Sequence, residues 1–86
     1  MNINDVNASY FRSSDFVTVV VLILNKHRLT RTINDDPKRV VFEFERTAKL
    51  DGDVESLRRG ELLVDPADFW AAERRCKQLI YDRRFL

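Results

Sequence analysis

One strongly apolar stretch decides the fold: Phe16-Val-Thr-Val-Val-Val-Leu-Ile-Leu24. Its β-branched residues favour a strand by propensity, and periodicity cannot decide because the stretch is apolar on all sides. Ser13-Ser14-Asp15 supplies caps and an acid for a helix start. Lys26-His27-Arg28 supplies the cations that suit a helix end. We therefore predict a helix from Phe16 to about Lys26.

A helix over this stretch has two apolar faces. The first face consists of four residues, Phe16, Val19, Val20 and Ile23. A chain of 86 residues has a thin core and seldom covers both faces of such a helix. Exposed apolar faces mark interaction sites. The pattern therefore predicts a homodimer, and the candidate dimer face is Val17, Val21 and Leu24.

Two strands are predicted after this helix. Arg39–Glu45 alternates apolar and polar residues well, and Leu29–Ile33 does so less regularly. The residues between them, Asn34-Asp35-Asp36-Pro37, are typical of a turn. The pair is predicted to form an antiparallel hairpin, which must pack on helices or on another chain to be stable.

Two further helices complete the prediction. A short one runs from Asp53 to Arg59, because Gly52 limits its start and Gly60 suits its end. A long one begins at Asp65-Pro66, an N-cap followed by the proline of the first helical position, and runs to about Arg83. Its predicted inner face is Phe69, Ala72, Cys76, Leu79 and Ile80. The fold class is α+β: a helix, an antiparallel β-hairpin, a short helix and a long C-terminal helix over residues 10–86, after a flexible lead-in of residues 1–9.

Composition restricts the class of protein. Fifteen basic and fourteen acidic residues give a net charge of +1, so no strong field draws the chain to nucleic acid or to an anionic membrane. The single cysteine excludes an internal disulfide and indicates a reducing compartment. The apolar stretch is too short to span a bilayer, which takes about 20 residues. A soluble, cytoplasmic protein without a membrane partner is expected.

Several motifs resemble those of a known family. They are the start Phe11-Arg-Ser-Ser-Asp-Phe16, a hairpin ending in Val-Phe-Glu-Phe44, the segment Val64-Asp65-Pro66-x-x-Phe69, and Leu79-Ile80-Tyr81. Together they resemble a family of small bacterial, archaeal and phage proteins catalogued only as a domain of unknown function. The resemblance covers roughly residues 11–81, implies no activity, and suggests a phage or mobile-element context. The chain departs from the family pattern at His27-Arg28, where a glycine is expected near the helix exit.

No residue pattern indicates catalysis or metal binding. His27 is the only histidine, and a structural place at the helix end is favoured for it. Cys76 falls on a predicted inner face, where thiols are inert. Asp51-Gly52-Asp53-x-Glu55 resembles part of a calcium loop but lacks the remaining ligands. We therefore predict no catalytic residue, no metal and no cofactor.

One pattern on the last helix stands out. Aromatic and basic residues recur at spacings of three and four, which places them on one stripe: Trp70, Arg74, Lys77, Tyr81 and Arg84. Such a stripe suits stacking and phosphate contacts, or an acidic protein surface. The competing interpretation is that Trp70 and Tyr81 extend the core. The sequence thus predicts a non-enzymatic interaction module that binds a protein partner. The alternative is a nucleic-acid- or nucleotide-binding accessory protein that uses this stripe.

Overall fold

A computed structural model describes residues 9–84, with side chains described from Ser9 to Tyr81. The predicted lead-in therefore lies outside the described residues except for Ser9. Within the described part, the elements in chain order are β1 (Tyr10–Ser13), α1 (Phe16–Leu24), β2 (Leu29–Asp36), β3 (Arg39–Glu45), α2 (Ala48–Arg58) and α3 (Pro66–Arg84). The strands form one antiparallel sheet in the order β1-β3-β2. The predicted α+β class with its long C-terminal helix is confirmed.

Helix α1 begins at Phe16 as predicted, but its N-cap is Asp15 rather than a serine, and it ends at Leu24 rather than near Lys26. The Asp15 carboxylate accepts a hydrogen bond from the backbone N–H of Thr18 at 3.1 Å, which caps the first turn. Burial, rather than propensity, makes this β-branched stretch helical, since four consecutive residues of α1 lie in the interior. These residues are Val19, Val20, Val21 and Leu22. Helix α1 contacts both α2 and α3, so it is covered on more than one face.

Strand β1 was not predicted. Tyr10–Ser13 pairs with β3 so that Phe11 lies opposite Phe44. No sequence pattern indicated this strand, because four residues are too few for a periodic signal. The sheet therefore has a third strand beyond the predicted hairpin.

The hairpin turn lies later than predicted. Strand β2 continues through Asp36, which pairs with Arg39, so the loop is only Pro37 and Lys38. The Asp36 carboxylate accepts a hydrogen bond from the backbone N–H of Lys38 at 2.8 Å and closes this tight turn. The predicted turn residues Asn34 and Asp35 are strand residues instead.

The start of α2 was also predicted wrongly. The helix begins at Ala48, after Thr47, whose hydroxyl accepts a hydrogen bond from the N–H of Leu50 at 3.0 Å. Burial of Leu50 and Val54 together with this cap outweighs the cost of Gly52, which is about 1 kcal/mol in a helix interior. The predicted stop at Gly60 is confirmed by its φ of 70°.

The core lies between the inner face of the sheet and the three helices. Phe42 and Phe44 of β3 point into it, and they pack with Leu50 of α2 and with Ala72 and Cys76 of α3. Alternation along β3 places Glu43 on the opposite face of the sheet. This arrangement leaves one face of the sheet and the outer face of α3 for other contacts.

Candidate functional site

Capping and packing set the rotation of α3 about its axis. The Asp65 carboxylate accepts hydrogen bonds from the N–H groups of Ala67 at 2.8 Å and Asp68 at 3.2 Å, as the predicted N-cap requires. Ala72 and Cys76 are buried, and Phe69 and Ile80 pack against the core. The predicted inner face is thus confirmed for these four residues, and the neighbouring stripe turns outward.

The two aromatic residues of the stripe lie on the surface. Trp70 is 67% exposed and Tyr81 is 56% exposed. The interpretation that they extend the core is therefore wrong. Aromatic side chains of this size bury large areas when they meet a partner, so their exposure here leaves apolar surface available.

The basic residues of the stripe lie between the aromatics. Arg74 is exposed and has no ion pair with any described side chain. Lys77 lies 3.6 Å from the Glu73 carboxylate, an i, i+4 pair that is largely solvent-exposed and therefore weak. The side chain of Arg84 lies outside the described part. The described stripe therefore combines two exposed rings with two basic groups that solvent reaches.

The predicted dimer face does not form a surface. Val17 is 48% exposed, but Val21 is only 3% exposed and Leu24 packs against the core. The expectation that a small domain leaves one face of this helix uncovered is wrong, because α2 and α3 both pack on α1.

A buried polar cluster joins the end of α1 to α2. Nε2 of His27 lies 2.6 Å from Oδ2 of Asp53, and the two side chains are 6% and 16% exposed. Asn25 Nδ2 donates to the same oxygen at 3.1 Å, and Lys49 Nζ donates to it at 3.2 Å. Burial raises the pKa of Asp53, but the hydrogen bonds from His27, Asn25 and Lys49 outweigh that effect and leave it below its ordinary value.

This cluster gives Asp53 a structural place that the sequence did not predict. Asp51 and Asp53 resemble part of a calcium loop without its remaining ligands, and both lie within helix α2. Among the described residues, no group of three or more His, Cys, Asp or Glu side chains is arranged to hold a metal ion. The predicted place of His27 at the helix end is confirmed, and its backbone N–H donates to the carbonyl of Leu22 at 3.1 Å. Sequence reasoning missed its ring partner because Asp53 lies 26 positions away.

A second polar cluster lies on the outer face of the sheet. Glu43 of the central strand accepts hydrogen bonds from Arg12 Nε at 2.9 Å and Arg31 Nε at 3.3 Å, one from each flanking strand. The Thr30 hydroxyl donates to the same carboxylate at 2.7 Å. The hydrogen bond from Thr30, supported by both arginines against the opposing effect of burial, lowers the pKa of Glu43. The carboxylate is fully engaged, so its place is structural.

Cys76 lies on the inner face of α3, as predicted. It is fully buried among core residues, and burial, with a smaller contribution from the charge of Glu73, raises its pKa to about 11. The thiolate is the nucleophilic form. A group that holds its proton so tightly, out of reach of solvent, does not act as a nucleophile.

No helix within residues 9–84 has the length and apolarity needed to cross a membrane.

Comparisons of the chain with protein-family models, with curated proteins and with solved structures gave no match. The resemblance to small bacterial, archaeal and phage proteins therefore stays a prediction.

Proposed function

We propose that this chain is a non-enzymatic interaction module that binds an acidic protein surface through the outer stripe of α3, formed by Trp70, Arg74, Lys77 and Tyr81. The observation that carries the proposal is the exposure of Trp70, at 67%. Trp, Tyr and Arg are the residue types that dominate the free energy of protein interfaces.

The charges of the stripe support an acidic partner. Arg74 is unpaired among the described side chains, and Lys77 has only a weak exposed pair with Glu73. Docking two copies through this stripe would bring Arg74 and Lys77 of both copies together, and like charges across an interface oppose binding. The charges of the stripe therefore favour a different molecule as its partner. A homodimer formed elsewhere stays a prediction, and light scattering of the purified protein decides it.

Affinity capture followed by direct binding tests the proposal. Proteins retained from a lysate of the producing cells by the wild-type chain are compared with those retained by Trp70→Ser. A partner that uses the stripe should be retained by the wild type and lost with Trp70→Ser. In direct binding to the purified proteins, its affinity for the wild type should exceed its affinity for Trp70→Ser by about tenfold or more, as expected for an aromatic hot spot.

The matched control is Tyr10→Ser. Tyr10 is 51% exposed but lies on the sheet, so the change removes a similarly exposed ring from another surface. A partner retained equally by the wild type and both variants contradicts the proposal.

A second candidate is single-stranded nucleic acid, favoured by exposed rings interleaved with cations. Bases stack on such rings, and phosphates pair with the basic groups between them. Trp70 is the only tryptophan, so quenching of its fluorescence by an oligothymidylate reports directly on this stripe. Binding that weakens steeply with salt supports this candidate, and unchanged fluorescence excludes it.

A further inference from the structure

We propose that a cleft between the exit of α1 and the last helix binds a small organic oxyanion, a phosphate or carboxylate attached to an apolar group. This inference does not depend on the stripe of α3. The cleft has a volume of about 480 Å³, which lies within the range of small-molecule sites, roughly 300–1,000 Å³. Six residues line it: Ile23, Lys26, His27, Leu29, Arg75 and Leu79.

Two cations in the cleft have no partner. Neither the Lys26 ammonium nor the Arg75 guanidinium forms an ion pair or hydrogen bond with any described side chain. Both residues also line an adjoining cleft with Asp68, yet that carboxylate pairs with neither of them. A guanidinium matches the two oxygens of a carboxylate or phosphate, and an ammonium beside it adds a second charge.

The backbone of Lys26 is a second, independent observation. Its φ of 68° lies in the left-handed region, which a non-glycine residue adopts at a cost. The N–H of Lys26 donates to the Ile23 carbonyl and the N–H of His27 to the Leu22 carbonyl, the pattern of a Schellman helix end. Helix α2 ends with the same pattern and has Gly60, at φ 70°, in the corresponding place.

Glycine would adopt this backbone conformation with less strain than lysine. The presence of lysine here therefore indicates that its side chain takes part in binding. Strained backbone positions are concentrated at binding sites, because the surrounding structure must hold them. The same hydrogen bonds occupy two of the last carbonyls of α1, Leu22 and Ile23, which reduces the negative partial charge that this helix end would present to an anion.

His27 is held in place at the wall of the cleft. Its Nε2 contacts the Asp53 carboxylate, which limits rotation of the ring. Nδ1 of His27 has no hydrogen-bond partner among the described residues. Every buried side-chain nitrogen or oxygen of those residues does have a partner, so Nδ1 is in contact with solvent. Because Nε2 faces a carboxylate and donates to it, Nδ1 of the neutral ring accepts a hydrogen bond, so it can hold a water that bridges to the oxyanion.

The remaining lining residues define the rest of the ligand. Ile23, Leu29 and Leu79 give the cleft an apolar wall, so an anion that carries an apolar group gains contacts that inorganic phosphate lacks. Phenyl phosphate, benzoate and inorganic phosphate therefore serve as probes. Each is titrated into ¹⁵N-labelled protein, and the amide shifts are followed by NMR.

We expect saturable shifts centred on Lys26, His27 and Arg75, with phenyl phosphate or benzoate binding more tightly than inorganic phosphate. Which of the first two binds better distinguishes a phosphate ligand from a carboxylate ligand. Arg75→Gln should weaken binding about tenfold or more, because hydrogen bonds to charged groups are strong. Lys26→Gly should weaken it similarly while relieving strain, so loss of fold does not confuse the result.

The matched control is Arg28→Gln. It removes the same charge from an exposed residue that is next to His27 in the chain but does not line the cleft. If Arg28→Gln weakens binding as much as Arg75→Gln does, the effect comes from the overall charge of the protein and not from the cleft, and the proposal is overturned. The absence of saturable shifts with all three probes would also overturn it.

Discussion

Nε2 of His27 lies 2.6 Å from Oδ2 of Asp53, in a contact that ties the exit of α1 to the second turn of α2. Both side chains are largely withdrawn from solvent. Without His27, the Asp53 carboxylate keeps Asn25 and Lys49 as donors but loses the shortest of its three contacts, and hydrogen bonds to charged groups are among the stronger ones in proteins.

We therefore expect His27→Ala to lower the free energy of unfolding by about 1–3 kcal/mol. Urea denaturation measured by circular dichroism provides the value. The neighbouring exposed change Arg28→Ala is the control and should stay within about 0.5 kcal/mol of wild type. Equal values for the two variants would show that the contact does not contribute to stability.

The strained exit of α1 predicts a stabilising substitution. Lys26→Gly should raise the free energy of unfolding by about 1 kcal/mol, because glycine adopts positive φ without the clash of a Cβ atom. Gly60→Ala is the mirror control and should lower it by a similar amount. No atom lies within 4 Å of a Cβ built at Gly60, so conformational strain is the only cost there. Destabilisation by Lys26→Gly would contradict this account.

Acid should destabilise the protein through carboxylates whose pKa values are lowered in the fold. The hydrogen bond from Thr30, with help from Arg12 and Arg31, lowers the pKa of Glu43, and the hydroxyl of Thr18 lowers that of Asp15. A carboxylate whose pKa is lowered by folding stabilises the fold at pH values above its ordinary pKa of about 4. This contribution is lost as the pH falls through the pKa of the folded state.

Stability measured by urea titration should therefore be retained near neutral pH and fall as the pH drops below about 4. Glu43→Gln should reduce this dependence because it removes one of the titrating groups. Glu45→Gln, an exposed change on the same strand, serves as the control. If the free energy of unfolding of Glu43→Gln falls with pH as much as that of the wild type, Glu43 does not contribute to the acid dependence.

The thiol of Cys76 should resist modification in the folded protein. Its pKa of about 11 and its complete burial leave almost no accessible thiolate at neutral pH. Reaction with a chromogenic disulfide reagent should be slow in buffer and fast in urea. Rapid labelling of the folded protein would show that α3 opens readily from the core.

The buried face of α1 gives a test of the predicted dimer face at Val21. Val21→Asp should unfold the chain, because it places an unpaired charge at a position only 3% exposed. Val17→Asp, on the same helix at 48% exposure, should have little effect. Circular dichroism and light scattering distinguish the outcomes. A folded Val21→Asp monomer derived from a wild-type dimer would restore Val21 to a dimer face.

Local signals predicted much of this fold. The start of α1 at Phe16, the cap at Asp65, the stop at Gly60 and the alternation of β3 depend on neighbouring residues, so the sequence alone locates them. Elements that depend on distant partners were missed or misplaced. Strand β1 exists because it pairs with β3, and α2 starts early because Leu50 finds a place in the core.

The candidate sites were also predicted only in part from the sequence. Helical spacing alone placed Trp70, Arg74, Lys77 and Tyr81 on one stripe, but only the packing of α3 decided that the two rings are exposed. Spacing also placed Val17 and Val21 on one face, and tertiary packing buried Val21. The cleft that contains Lys26 and Arg75 could not be found from the chain, because these residues are distant in sequence. Periodicity is a local property and sets which residues share a face, whereas burial depends on which distant elements cover that face.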